Sequence, residues 1–311
     1  MKLRIVAGTA NPGLARALAA TLGVALTGCE VERFPDGELR PAVEEVRGDD
    51  VYVVQPTAPP VNEHLVELVL LLDACRRAGA GRVTAVVPYF GYARQDRRSR
   101  AGQAVAARVA ADLLVSAGAE RLVVVDPHTL ALEAMSAVPV EMLTAVPFLA
   151  AAFGNAGERA TVVVAPDLGA VKLAERYASL LRLPVAIVRK SRLSGTDVHA
   201  EELVGDVSGR RTIVVDDMIS TGGTIEAAVR LLVACGADPH VAVAATHGLL
   251  VGACAERFRD LPLVRLLVTD TLASGPGWPL PVEVCSVAPL LGDAIGRLHR
   301  HEPLRDLLAA T

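Results

Sequence analysis

The sequence predicts an α/β protein made of two tandem, doubly wound parallel sheets. Short apolar, β-branched runs alternate with Ala/Leu/Arg stretches of helical length along the chain, and one strand–loop–helix–strand pattern recurs in the second half. The runs are apolar throughout, not alternating, which suits strands covered by helices on both faces of a parallel sheet.

Taken in order, strands are expected at residues 3–7, 51–55, 82–87, 122–125, 161–165, 185–188, 212–215, 241–245 and 264–269. Between them, residues 62–77, 105–117, 170–181, 225–235 and 288–299 place apolar side chains at helical spacing. The recurrence is faint but ordered. Gly79-Ala80-Gly81-Arg82-Val83-Thr84-Ala85-Val86 and Gly91 align, at one constant offset, with Gly236-Ala237-Asp238-Pro239-His240-Val241-Ala242-Val243 and Gly248. Each copy follows a helix that itself follows a strand and a loop, Val53-Val54-Gln55 in one and Val214-Val215-Asp216 in the other. Two related domains, 1–148 and 149–311, are therefore expected, joined near 145–160.

Composition narrows the function. With 311 residues, 52% hydrophobic and 21% charged, the chain can bury a large core and is globular, not disordered. A net charge of -4 argues against a dedicated nucleic-acid surface, so an anionic ligand has to be held locally. The 5 cysteines, Cys29, Cys75, Cys235, Cys254 and Cys285, are scattered and never form a Cys-x-x-Cys pair. They read as buried thiols of a reducing cytoplasm, not a disulfide framework or a zinc site. The longest weakly charged region, 129–157, contains Glu133, Pro139, Glu141 and Pro147, so no membrane segment is expected.

The second loop carries the sharpest chemistry. Val214-Val215-Asp216-Asp217-Met218-Ile219-Ser220-Thr221-Gly222-Gly223-Thr224 runs from a buried strand through two carboxylates into a hydroxyl/glycine turn that opens a helix. Glycines let backbone N–H groups approach an anion, threonine hydroxyls add donors, and the helix N-terminus favours negative charge. The paired acids suit vicinal sugar hydroxyls, bound directly or through Mg²⁺, at the edge where open α/β sheets place ligands. The bland reading is an ordinary capped helix after a tight turn. Two acids, two glycines and two threonines at this spacing make it the weaker one.

This segment resembles the phosphoribosyl-diphosphate-binding loop shared by type I phosphoribosyltransferases and ribose-phosphate diphosphokinases. Arg33-Phe34-Pro35-Asp36-Gly37-Glu38 and Pro88-Tyr89-Phe90-Gly91-Tyr92-Ala93-Arg94-Gln95-Asp96-Arg97-Arg98 resemble two signatures of the diphosphokinases that the transferases lack. Nearly the whole chain shares the resemblance. It implies two phosphoribosyltransferase-like domains that move the β,γ-diphosphoryl group of ATP to the 1-hydroxyl of ribose 5-phosphate. It implies that Phe34, Asp36, Gly37, Glu38, Arg94 and Gln95 bind ATP, the first segment coming from a neighbouring subunit. Arg97 and Arg98 add forked cationic donors, and Phe34 a flat face for a purine.

Further residues follow from the same resemblance. His128 and Asp167, each after an apolar strand, would help hold Mg²⁺. Lys190 and Arg192 match a catalytic Lys-x-Arg pair on a flexible flap, with Arg192 also touching the sugar. Of 31 Lys and Arg residues only Lys2, Lys172 and Lys190 are lysines, so a compact ammonium at 190 stands out. Asp216, Asp217, Ser220, Thr221, Gly222, Gly223 and Thr224 would bind ribose 5-phosphate. A homo-oligomer, dimer-based and up to a hexamer, is implied. From spacing alone, a strand-end histidine is better read as a hydrogen-bonded structural residue, whereas a solvated loop lysine is the weaker reading of Lys190.

Several positions depart from the family pattern. Ser220 stands where Asp is usual, Thr129-Leu130-Ala131-Leu132-Glu133 replaces a Gln-Ile-Gln-Gly-Phe stretch, and the loop after Arg98 is about one residue short. Ala170 and Leu173 replace Gly and Arg. Altered phosphate activation and ADP inhibition are therefore expected. The competing readings are a non-catalytic regulatory paralogue and a phosphoribosyltransferase.

Overall fold

Two parallel ladders built in the same strand order organise the chain. The computed structural model describes residues 1–154, 160–192, 199–273 and 282–309, with the side chains of 190–192 and 199–201 outside the description. In the first ladder β1 (Leu3–Ala7), β4 (Asp50–Val54), β5 (Arg82–Val87), β6 (Arg121–Val125) and β7 (Val140–Leu143) lie in that spatial order, every pair parallel. In the second, β8 (Thr161–Ala165), β11 (Arg211–Ile219), β12 (Val241–Gly248), β13 (Leu263–Thr269) and β14 (Val282–Cys285) repeat the order. The shared order is what the faint sequence repeat implied.

Each ladder has a hairpin inserted after its first strand and helix. In the first unit β2 (Cys29–Arg33) and β3 (Leu39–Val43) form a separate antiparallel sheet. In the second, β9 (Val185–Arg192) pairs parallel with β8, and β10 (His199–Val204) pairs antiparallel with β9. The sequence reading placed no strand at β2, β3, β7, β10 or β14. These are charged hairpin or edge strands, such as Cys-Glu-Val-Glu-Arg, and they lack the apolar run that marks a covered strand. Strands β4 and β8 are buried along their whole length, as their composition requires.

The helices pack by apolar spacing. α2 (Val61–Arg77) buries Leu65, Leu68, Leu71, Leu72 and Cys75, and α3 (Ala106–Ala117) buries Ala107, Ala110, Ala111 and Leu114. All of these but Ala107 join Val51, Val53, Val83, Ala85, Leu122 and Val124 in the first core. α7 (Gly223–Ala234) buries Ile225, Ala228, Val229 and Leu232 against the second sheet. A helix absent from the sequence reading, α1 (Pro12–Leu22), follows β1. Asn11 caps it by accepting the Leu14 N–H at 3.1 Å, with Pro12 at its first turn.

Chain contacts divide the molecule otherwise than at 148/149. One compact unit comprises Met1–Thr144, Asp270–Ala273 and the segment from Ser286 onward; the other comprises Ala145–Thr269 and β14. The assignment of residues 149–311 to one domain is thus corrected at the C-terminus. There α9 (Ala288–His299) returns to the first unit, where His299 Nδ1 lies 2.7 Å from Asp50 Oδ2. The tail then runs beside β7, with Thr144 N–H donating to Leu307 O at 3.0 Å and Ala309 N–H to Met142 O at 2.7 Å. The thiols also need correcting: Cys75 and Cys254 are buried, Cys29 and Cys285 half-buried, and Cys235 exposed.

Candidate functional site

In the second unit, β11 extends through Ile219, beyond the end expected at 215, so both acids sit within the strand. Asp216 Oδ1 accepts the Asp217 N–H at 2.9 Å. Burial, the neighbouring Asp217 and the charge of Asp167 hold the Asp216 carboxyl well above the usual carboxylate range. Asp167 follows β8 and accepts N–H groups from Gly169 at 2.8 Å and Ala170 at 3.2 Å, which anchors the start of α6 (Val171–Leu181).

The turn after β11 depends on glycine to pack against its neighbour. Gly222 has φ +78, and a Cβ there would lie 2.7 Å from Phe258 Cε1 and 2.9 Å from Cys254 Sγ. Both belong to α8 (Cys254–Arg259), which forms the wall behind the turn. Only glycine meets both demands, and α7 therefore begins at Gly223 with no side chain capping it. Thr221 is exposed, and Ser220, Gly223 and Thr224 are half-buried. Acids, hydroxyls and a helix start thus gather at one end of one strand, an arrangement that can hold an anion beside a polyol.

Lys190 and Arg192 lie on β9, opposite Glu201 and His199 of β10, not in a loop after residue 188. Their side chains lie outside the described residues, as do residues 193–198, on which the expected flap would fall.

The first unit has a cavity of about 550 Å³ at the carboxyl ends of β5 and β6. Arg94, Gln95, Asp96, Arg97, Ser99, Gln103, Ala104, His128 and Thr129 line it. It joins three predicted nucleotide residues to the predicted metal residue His128. Arg98, expected to contribute a donor, is not in that lining. Asp96 accepts both arms of Arg97, at 2.8 and 2.7 Å, and that guanidinium holds its carboxyl down to about 2. Gln103 Oε1 accepts Ser99 Oγ at 2.7 Å and the Ser99 and Arg100 N–H groups at 3.0 and 3.1 Å, fixing the loop.

Sequence reasoning missed Asp96, Ser99, Gln103 and Thr129 as cavity residues. Asp96 stood inside the Arg94–Arg98 run and Thr129 directly after His128, so position alone offered the signal. Phe34, Asp36, Gly37 and Glu38 sit apart on the β2–β3 turn, which is closed by Phe34 N–H to Glu38 O and Gly37 N–H to Phe34 O, both 2.9 Å. The Arg40 guanidinium lies 5.0 Å from the Phe34 ring centroid. Asp36, Gly37 and Glu38 are exposed.

Among the described residues no three His, Cys, Asp or Glu side chains are grouped to hold a metal ion. The surplus negative charge around Asp216 favours a cation nearby.

Residues 3–118 match the model of the N-terminal domain of ribose phosphate pyrophosphokinase, and 141–261 match the phosphoribosyl transferase domain. A ribose-phosphate pyrophosphokinase of Clostridium perfringens is 40% identical over 310 residues, covering 98% of this chain and 97% of its own. One from Rhodopirellula baltica is 41% identical over 312 residues, covering 98% of each. The crystal structure of phosphoribosylpyrophosphate synthetase from Mycobacterium smegmatis aligns at a TM-score of 0.91 with 38% identity, covering 97% of this chain and 100% of that one.

Proposed function

The chain belongs to the ribose-phosphate pyrophosphokinase family, and on that premise we propose that its two loop clusters hold the two substrates of 5-phosphoribosyl 1-diphosphate synthesis. The reaction moves the β,γ-diphosphoryl group of ATP to the 1-hydroxyl of ribose 5-phosphate and releases AMP. The single observation that carries the reading is the open Ser220–Thr224 turn at the start of α7, with Asp216 and Asp217 on the strand that leads into it.

In this reading the turn holds the sugar phosphate through backbone N–H groups and the Ser220, Thr221 and Thr224 hydroxyls. Asp216 and Asp217 receive the ribose hydroxyls. The first-unit cavity takes the nucleotide phosphates: Arg94 offers a forked donor, Gln95 a neutral one, and Arg97 a guanidinium already set in place by Asp96. Phe34 supplies a face for the purine, with Asp36, Gly37 and Glu38 beside it, contributed by a second copy in a homo-oligomer built from dimers, up to a hexamer.

Transfer asks for in-line attack by the anomeric oxygen on the β-phosphorus, with AMP leaving and no covalent enzyme intermediate. Positioning and charge neutralisation supply most of the acceleration in such reactions. Lys190 and Arg192 neutralise the moving diphosphoryl group. His128 and Asp167 are the residues proposed to hold Mg²⁺, which supplies further charge neutralisation at the phosphates when bound.

The decisive experiment incubates purified protein with ATP, Mg²⁺ and ribose 5-phosphate and follows the nucleotide. Sugar-dependent AMP is expected. ADP would mean a simple kinase, no turnover a non-catalytic paralogue, and pyrophosphate release on adding a base a phosphoribosyltransferase. A cytoplasmic location fits this chemistry. Among the described residues no helix is long and apolar enough to cross a membrane.

A further inference from the structure

The wall behind the Ser220–Thr224 turn does more than fill space. Phe258 and Cys254 of α8 occupy the side on which Gly222 would carry a Cβ. Arg257, from the same helix, points to the next residue: its Nη1 lies 3.5 Å from where a Gly223 Cβ would stand. The guanidinium is thus placed over the first residue of α7, and its side chain is 42% exposed.

Its partner is Glu226, in the first turn of α7. Arg257 Nη1 donates to Glu226 Oε2 at 2.9 Å, while Arg230 Nε and Nη2 donate to Glu226 Oε1 at 3.2 and 3.1 Å. Arg230 first, then Arg257, holds the Glu226 carboxyl below its usual range. A cation beside a helix N-terminus opposes the helix dipole, and a carboxylate there relieves the conflict. An anion bound at the turn would relieve it too, and would repel Glu226. Arg257 can leave Glu226 without stranding a charge, because Arg230 stays bound to the other oxygen. A guanidinium also suits a phosphate, which it grips through two N–H groups.

We propose that Arg257 is a phosphate-binding residue of the sugar site, released from Glu226 to grip the 5-phosphate when ribose 5-phosphate enters. The inference rests on the Ser220–Thr224 turn being the sugar-phosphate cradle. Glu226 then acts as a competing anion that lowers sugar affinity, and Arg230 as the partner that makes the exchange possible.

The test measures kcat and KM for ribose 5-phosphate, with Tm as a folding control, in Arg257→Gln, Arg257→Lys, Glu226→Gln and Thr224→Ala. Arg257→Gln is expected to raise KM about 10-fold with a smaller fall in kcat, the loss typical of one charge-assisted contact. Arg257→Lys should recover part of that loss. Glu226→Gln should lower KM, since it removes the competitor. If Arg257 only braces α8 against α7, Glu226→Gln and Arg257→Gln both raise KM and lower Tm, and the proposal fails. An unchanged KM in Arg257→Gln beside a raised KM in Thr224→Ala also overturns it while leaving the cradle intact. If Thr224→Ala is silent as well, the cradle reading itself falls, and the role of Arg257 with it.

Discussion

The loops after β4 and β11 occupy equivalent places in the two units and meet opposite fates. In the first unit the loop is filled from within. Gln55 is 0% exposed and lies over Gly8, where a Cβ would come within 2.2 Å of its Oε1, which also accepts the Ala10 N–H at 3.0 Å. The Thr57 hydroxyl accepts Gly91 N–H at 2.6 Å and donates to Tyr89 O at 3.2 Å. Glu67 of α2 takes both the N–H and the hydroxyl of Thr9 at 2.6 Å. In the second unit, Thr221 is exposed and no side chain caps the helix start. A duplicated fold can thus leave one crevice accessible and close its twin with a few polar side chains. In the first unit the open space lies one crevice along, between the loops that follow β5 and β6.

The most severe way to break this contrast is at Lys190. Lys190→Ala is expected to lower kcat by about 10²–10³-fold with little change in the KM for ribose 5-phosphate. Asp216→Ala, by contrast, should raise that KM, and equal small effects in steady-state kinetics would refute both roles. Gly222→Ala comes next. Its Cβ has to displace Phe258 or Cys254 at positive φ, so sugar affinity should drop by roughly 10-fold or more in titration calorimetry. The paired control, Gly8→Ala, should leave sugar affinity alone and lower Tm instead, because Gln55 has to move. Loss of sugar binding in Gly8→Ala would mean that the first crevice is not closed.

Arg94→Ala should raise the KM for ATP by about 10-fold and spare that for ribose 5-phosphate, which sharpens the division between the units. The smallest effect concerns the far ends of β4 and β5. Burial raises the Asp50 carboxyl, but donors from Arg82 at 2.7 and 2.5 Å, His299 and Tyr52 outweigh it, and the net shift is downward. A depressed carboxyl stabilises the fold above its unfolded value, about 4, and that contribution is lost as pH falls through the folded value. Acid unfolding followed by circular dichroism should therefore be less steep below pH ~4 in Asp50→Asn. An unchanged slope would remove Asp50 as a contributor.

Much of this was readable without a structure. The apolar run Val-Tyr-Val-Val admits only a covered strand, and the acids, hydroxyls and glycines of 216–224 state their chemistry locally. The β2–β3 hairpin was not readable, because Cys-Glu-Val-Glu-Arg and Leu-Arg-Pro-Ala-Val are short, charged and half-exposed. Nor was α1, whose Asn-Pro-Gly start reads equally well as a turn until the Asn11 cap is seen.

What the sequence determined by itself was the alternation of strand and helix, the duplication and the acid, hydroxyl and glycine make-up of the turn proposed to bind an anion, since each depends on residues a few positions apart. Tertiary structure alone decided that α9 joins the first unit, that Gln55 closes one crevice, that His128 and Thr129 meet Arg94 and Gln103 in one cavity, and that Arg257 stands over Gly223. Those juxtapositions follow from sheet order and helix packing, which bring together side chains 25 to 249 residues apart on no local pattern.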